Sequence, residues 1–346
     1  MTGLLTVIVP MYNVGPFVRG ALESLERQTY NKIEVIIVDD GSTDESLEIA
    51  KSFAEKNKIF KIVSQPNGGY GKAMNHGLAL ANGEYIGILE PDDYADPLLY
   101  ETLMKAALNN QAEIARVDFY SIFRDQSNNI SKSNQLVRKN NLSKFLPPGA
   151  KEGWINLMER PDIFASAAAI WTSVFNLEFL KTNQIHFLET PGASFQDFPF
   201  FAEALFCAEK VYAINNPLVF YRDSHPNSSS AMGSNKGLLH FKIFDYVFTS
   251  LQKRNPTKLE KIRPGLEYAF FRQHYFHYLR LDKKNRATFF YQLKEKISGH
   301  FSGEAFMNLG EKTALALVKC TNFFIYDMTI ALLSQIKILL KKNSCE

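Results

Sequence analysis

In the first third of the chain, short runs of β-branched and aliphatic residues alternate with segments whose apolar positions return every three or four residues. The runs predict strands at residues 4–9, 33–38, 60–64, 85–89 and 112–118. Between the first two, Phe17, Ala21, Leu22 and Leu25 form one helical stripe. A second helix is expected at "STDE", where Ser42 and Glu45 have capping-box spacing, and a third over residues 72–81. Strand and helix in alternation are the pattern of βαβ units and a mostly parallel sheet.

The pattern then changes twice. Residues 124–153 are polar and weakly periodic, an excursion from the sheet or a mobile loop. The apolar stretch "SFQDFPFFAEALFCAEKVYAI" reads as a helix entered through Asp197 and closed by a strand that leads into "VFYRDSHPNSSSAMG". From about Gly237 onward the signals are helical, rich in Phe, Tyr, Leu and Lys, which sets a boundary near residue 235 between domains 1–235 and 236–346. Residues 313–342 combine broad apolar coverage with terminal lysines. That suits a helix lying on an anionic membrane surface, and equally packing against the first domain or self-association with another copy.

Composition narrows the class. Of 346 residues 46% are hydrophobic and 22% charged, enough to bury a substantial core in one large domain or two smaller ones. Lys plus Arg number 39 against 36 for Asp plus Glu, and a net charge of +3 gives no reason to expect a nucleic-acid partner. The three cysteines, Cys207, Cys320 and Cys345, share no CxxC spacing and imply neither a disulfide framework nor a zinc site. No cationic leader precedes the first strand run and no apolar stretch reaches the roughly 18 residues of a spanning helix. The expectation is a cytoplasmic protein, with peripheral membrane contact left open.

Candidate chemistry gathers at one edge. In a doubly wound sheet, ligands bind beyond the carboxyl ends of the strands. Tyr12 and Asn13 follow the first strand there, Asp39 and Asp40 the second, and Glu90, Asp92 and Asp93 the fourth. Carboxylates that close repel one another unless a positive charge intervenes, and a divalent cation supplies one. An acidic turn capping the helix after Asp96-Pro97 accounts for the same residues. "VPMYNVGPF" lacks the dinucleotide glycines, and "PNGGYGKAMN" has Pro66 and Ala73 where a P-loop needs glycine and a hydroxyl. A glycine- and arginine-rich nucleotidyltransferase loop is absent as well. What remains is a nucleotide held without a glycine cradle, its charge balanced by a carboxylate-bound metal.

"TVIVPMYN", "VIIVDDGSTDES", "NGGYGKAMNHGLALANGEYIGILEPDD" and "ETPGASFQDFPFF", in that order and spacing, resemble the family 2 glycosyltransferases, inverting enzymes with the GT-A fold, over roughly residues 4–225. The resemblance implies an α/β catalytic domain followed by a helical C-terminal region. It further implies transfer of a hexose or N-acetylhexosamine from a nucleotide-diphosphate sugar, UDP-linked by preference, to a glycan or lipid-linked glycan acceptor in surface polysaccharide synthesis, with Mn²⁺ or Mg²⁺ as cofactor. The alternatives are a nucleotide-sugar-binding protein without turnover and a sugar nucleotidyltransferase.

Carried over residue by residue, the resemblance makes Pro10 and Tyr12 border the nucleobase and Asp40 accept its imide hydrogen; Asp39 and Asp40 also suit a turn and helix cap, or divide the two roles between them. "EPDD" resembles the D-x-D signature: Glu90, where Asp is usual, stands near the ribose or metal and Asp92 is the direct ligand. Asn67 and the two glycines after it form a tight turn beside the donor sugar, with Lys72 near phosphate or on a solvated helix face. Asp197 matches the catalytic base, with Gln196 in place of the usual acidic neighbour, and also suits an N-cap. Arg222 would stabilise the departing diphosphate, and His225 would complete the metal's coordination or lie on the surface. Trp171 and Phe175 fall where relatives line the acceptor side and are equally consistent with core.

Overall fold

The computed structural model describes residues 3–123, 136–139, 142–193, 195–223, 238–278, 281–299 and 301–330. The first third holds β1 (Leu5–Met11), α1 (Gly15–Glu26), β2 (Ile33–Asp39), α2 (Ser46–Lys56), β3 (Phe60–Ser64), α3 (Tyr70–Leu80), β4 (Tyr85–Ile88), β5 (Tyr94–Ala95), α4 (Leu99–Asn110) and β6 (Ile114–Phe123). It is followed by β7 (Leu136–Lys139), β8 (Glu152–Ile155), β9 (Ser173–Asn176), α5 (Leu177–Thr182), α6 (Asp197–Cys207) and β10 (Val211–Asp223). The strands form one sheet in the order β3-β2-β1-β4-β9-β6-β10-β5, with β7 against β6 and β8 against β10.

β1 to β4 are parallel, and β1 is buried along its whole length, which is why its sequence is a continuous apolar run rather than an alternation. Leu5, Val7, Val9 and Met11 point into a core shared with Val18, Leu22 and Leu25 of α1 and Leu103 and Met104 of α4. Ile8 points the other way, toward α3, where a Cβ on Gly77 would come within 2.6 Å of its side chain. β9 runs antiparallel between β4 and β6, and the sheet's direction changes there. On its α6 side, Phe200 lies edge-on to Phe175 of β9 (5.2 Å, 80°) and stacks on Phe187 (4.1 Å, 8°).

Three expectations change. Within the 124–153 excursion, Leu136–Lys139 returns to pair with β6, so part of that polar stretch is sheet; residues 124–135 lie outside the described residues. Ser42 and Glu45 form no capping box: α2 starts at Ser46, whose amide and hydroxyl both donate to Asp44 Oδ1, while Ser42 Oγ accepts from the Asn13 amide (3.2 Å). β9 is a strand that periodicity did not announce, four residues long.

The chain forms two compact units, residues 1–160 with 167–230, and residues 161–166 with 231–346. The second contains α7 (Leu239–Arg254), α8 (Pro256–Tyr278), α9 (Lys283–Ile297) and α10 (Leu309–Cys320). α8 carries Pro264 inside it, and at the next residue a Cβ would sit 2.0 Å from the Pro161 carbonyl oxygen, so only glycine lets the helix approach the 161–166 segment. Buried polar contacts complete this unit: His274 Nε2 pairs with the Tyr326 hydroxyl (3.0 Å), and the Tyr278 hydroxyl donates to Asp327 (2.6 Å). Leu309, Phe324 and Met328 are exposed. Among the described residues no helix is long and apolar enough to cross a membrane.

Candidate functional site

The β2 end is organised by carboxylates that receive backbone amides. Asp40 is 3% exposed; its Oδ1 accepts from Gln65 Nε2 (2.7 Å) and the Gly68 amide (2.9 Å), and its Oδ2 from the Gly69 amide (2.8 Å). Asn67 Nδ2 donates to the Asp40 carbonyl (3.1 Å). One buried side chain therefore shapes the turn from β3 into α3. Gly69 has φ +88°, and a Cβ there would lie 2.8 Å from the Thr190 carbonyl, so the turn requires glycine for its conformation and its close approach together. Asp39 Oδ1 accepts from the Ser42 amide (3.0 Å), and Asn13 Oδ1 accepts from the Thr43 amide (2.8 Å). The first bond shapes the loop after β2 and the second ties it to the loop after β1; Tyr12 there is 48% exposed, while Pro10 is buried in β1.

Beyond β4, Glu90 meets the first residue of α3: the Tyr70 hydroxyl donates to Glu90 Oε1 (2.6 Å). Burial is the largest influence on Glu90 and pushes it up to about 8; the negative charges of Asp92 and Asp197 add to that, against the Tyr70 hydrogen bond. Tyr70 is itself raised well above the ordinary tyrosine value, by burial first and then by Glu90, Asp197 and Asp92. Three carboxylates thus surround one phenol closely enough to disturb its ionisation. Asp93 does not join them. It is fully buried, its Oδ1 accepts from the Arg222 amide (2.9 Å), and burial with the charge of Asp92 pushes its carboxyl up.

Asp197 opens α6. Its Oδ1 accepts from the next amide, that of Phe198 (2.9 Å), and burial raises the carboxyl to about 6, the backbone amides pulling against it. Gln196 is 2% exposed and its amide nitrogen donates to Thr190 Oγ1 (2.8 Å) and the Gly192 carbonyl (3.0 Å), which a carboxylate at that position could not do. Gly192 in turn accepts from the Tyr70 amide (3.1 Å). A continuous frame therefore links the start of α3, the 190–192 turn and the start of α6, and so fixes Glu90 relative to Asp197.

Arg222 lies in β10, 4% exposed, its guanidinium between the rings of Phe17 (5.0 Å) and Tyr94 (4.8 Å). Nε donates to the Asp92 carbonyl (2.9 Å) and Nη2 to the Tyr94 hydroxyl. These bonds make Arg222 a clamp on the turn that carries Asp92. Lys72 is exposed, its stem lying across Gly68 where a Cβ would meet it at 2.4 Å. Trp171 stacks on Tyr221 (5.5 Å, 29°), and Phe175 is 1% exposed in the core. His225 lies outside the described residues. The structure thus draws Glu90, Asp92 and Asp197 together, ties Asp40 to Asn67, and ties Arg222 to Asp92. Tyr70 is the member that sequence reading passed over, although it stands between two selected residues, Asn67 and Lys72.

Among the described residues, no group of three or more His, Cys, Asp or Glu side chains is arranged to hold a metal ion. The donor set still fits a hard divalent cation, because Glu90 and Asp92 offer carboxylate oxygens, and the charge of Asp92 adds to the burial that raises Glu90.

Residues 6–165 match the glycosyl transferase family 2 model. The chain is 31% identical over 231 residues to the uncharacterized glycosyltransferase EpsJ of Bacillus subtilis, covering 66% of this chain and 63% of EpsJ, so under two thirds of that relative is matched. It is 29% identical over 264 residues to the uncharacterized glycosyltransferase YibD of Escherichia coli, covering 75% and 74%. The crystal structure of S. aureus TarS 1-349 in complex with UDP-GlcNAc superposes with a TM-score of 0.72 at 18% identity, covering 96% of this chain and 92% of that one. Sheet order and these likenesses agree that the fold is GT-A, and residues 6–165 carry a glycosyl transferase family 2 domain.

Proposed function

We propose that this protein transfers a hexose or N-acetylhexosamine, with inversion, from a UDP-sugar to a hydroxyl of a glycan or lipid-linked glycan during surface polysaccharide assembly in the cytoplasm. The observation that carries this reading is the convergence of Glu90, Asp92 and Asp197 around Tyr70, with Asp197 raised to about 6 and therefore deprotonated at neutral pH yet still basic. TarS, which shares the fold, was crystallised with UDP-GlcNAc, and that supports the choice of donor. Glu90 and Asp92 would hold Mn²⁺ or Mg²⁺, and such an ion neutralises the charge of a departing diphosphate.

In this reading Tyr12 stacks on the base at its open face, beside Pro10, and Asp40 shapes the Asn67–Gly69 turn against the donor. Arg222 acts by holding the Asp92 backbone. Asp197 accepts the acceptor's hydroxyl proton as that oxygen attacks the anomeric carbon; the bond to the diphosphate breaks and its electron pair leaves with the phosphate. Gln196 keeps the Asp197 end of α6 tied to the 190–192 turn. Exposed Phe324 and Met328, one helical turn apart, support contact of the second unit with a membrane surface or a second copy.

The test is Asp197→Asn beside the parent protein, with the donor chosen from a panel of nucleotide sugars by thermal shift in the presence of Mn²⁺. Turnover is expected to fall about 10² to 10⁴-fold while donor affinity holds and the melting temperature does not fall. Undiminished turnover overturns the base assignment, and pyrophosphate release from a nucleoside triphosphate would identify a nucleotidyltransferase instead.

A further inference from the structure

Glu90 stands where this family usually has the shorter Asp, and the structure supplies the longer side chain with a partner. The Tyr70 hydroxyl donates to Glu90 Oε1 at 2.6 Å. The phenol is anchored from three sides. Its ring meets Phe187 edge-on (6.0 Å, 76°), and its amide donates to the Gly192 carbonyl (3.1 Å). One residue on, a Cβ on Gly71 would lie 1.9 Å from the Leu188 carbonyl oxygen, so the first turn of α3 presses on the backbone of the 188–192 segment. A hydroxyl held that firmly dictates where its acceptor sits.

We infer that Tyr70 is a positioning residue for the transfer: its hydroxyl claims one oxygen of Glu90 and leaves the other presented to the donor side of the site, so that Tyr70 and Glu90 act as one unit. The inference rests on the donor-binding reading above and deepens it. A phenol is suited to the place, because it is a donor that stays neutral among three carboxylates, where a lysine or arginine would draw them all inward. The pair is also specific in length: an aspartate at position 90 is one methylene shorter and falls out of reach of the hydroxyl.

The experiment is a double-mutant cycle on the full chain with Tyr70→Phe, Glu90→Asp and the two combined. UDP with Mn²⁺ is titrated calorimetrically into each protein, and each is unfolded in urea without nucleotide. Loss of a hydrogen bond to a carboxylate is expected to weaken UDP binding about tenfold in Tyr70→Phe. In the Glu90→Asp background the same change is expected to shift the dissociation constant by less than about twofold, because the bond is already gone. The urea midpoint should show the same dependence on background. A ring that only fills space predicts the opposite, an equal penalty in both backgrounds, and that result overturns the inference; so does a Tyr70→Phe protein that binds UDP as the parent does. Should the parent not bind UDP while the urea cycle still couples the two residues, the donor assignment falls and the pair stands. Coupling absent from both measurements in a parent that binds UDP removes the pair alone.

Discussion

At the scale of the residue, the functional claim turns on a carboxyl whose environment disfavours its charge. Burial raises Asp197 to about 6. A general base works deprotonated, so kcat/KM of the parent is expected to fall about tenfold per pH unit below that value and to level above it. Stability carries the opposite sign. The folded carboxyl holds its proton more tightly than the unfolded one, so the folded state gains as pH drops from about 6 toward the ordinary range near 4, and the gain is lost as pH rises through 6. Activity and stability should therefore move in opposite directions across this window. A pH profile of kcat/KM with no limb near 6, or one that persists in the residual activity of Asp197→Asn, would assign the base elsewhere. Asp197 and Asp92 are the residues that their motifs single out. Their supports, Tyr70 and Gln196, are not, because each acts through a neighbour more than a few positions away: Tyr70 through Glu90, and Gln196 through Thr190 and Gly192.

At the scale of the element, α3 is the part on which the site depends, and Gly71 within it and Gly149 outside it separate two physical causes. Gly71 has an ordinary helical backbone, but a Cβ there would strike the Leu188 carbonyl at 1.9 Å. Gly149 has φ +80° and nothing within 4 Å of the same atom. Gly71→Ala is expected to destabilise by about 2 to 4 kcal/mol, through forced backbone movement, and to weaken donor binding. Gly149→Ala should cost about 1 kcal/mol, the penalty of a left-handed conformation, and leave binding alone. Urea denaturation of the two variants with UDP titration of each is the check; equal costs would mean that the 188–192 segment yields freely. The same element shows where sequence reading works. The β1, β2 and β4 runs emerged at nearly their observed bounds because a parallel strand buried on both faces has an unmistakable apolar run, whereas residues 60–64, only partly buried, emerged on their β-branched content. β9 did not, because four residues between a 3-10 turn at Ile170–Thr172 and α5 carry too little periodicity, and its place between β4 and β6 is decided by pairing alone. The Ser42–Glu45 spacing misled for a related reason: a serine that fits a cap locally was taken by an amide from another loop, that of Asn13.

At the scale of the whole molecule, the chain order and the compact units do not coincide, because residues 161–166 belong with 231–346. Within that second unit, Ile163 and Phe164 are fully buried, the Pro161 carbonyl sits against Gly265, and Arg272 donates to the Ala165 carbonyl (3.3 Å). We propose the catalytic portion as residues 1–235, and cutting there leaves this six-residue segment without its helices. Uncovering a Phe and an Ile forfeits about 1.5 to 3 kcal/mol each, a large part of the roughly 5 to 15 kcal/mol that holds a domain folded. Residues 1–235 made alone are therefore expected to melt several degrees below the full chain and to bind a hydrophobic dye such as ANS. Replacing both exposed residues with Ser in the truncated form should reduce the dye binding, because the patch itself is then gone. The same double replacement in the full chain should destabilise it, since there it buries two hydroxyls in place of apolar groups. A 1–235 fragment that melts with the parent and ignores the dye would mean that the segment finds another cover, and that the catalytic portion stands without the helices that follow it.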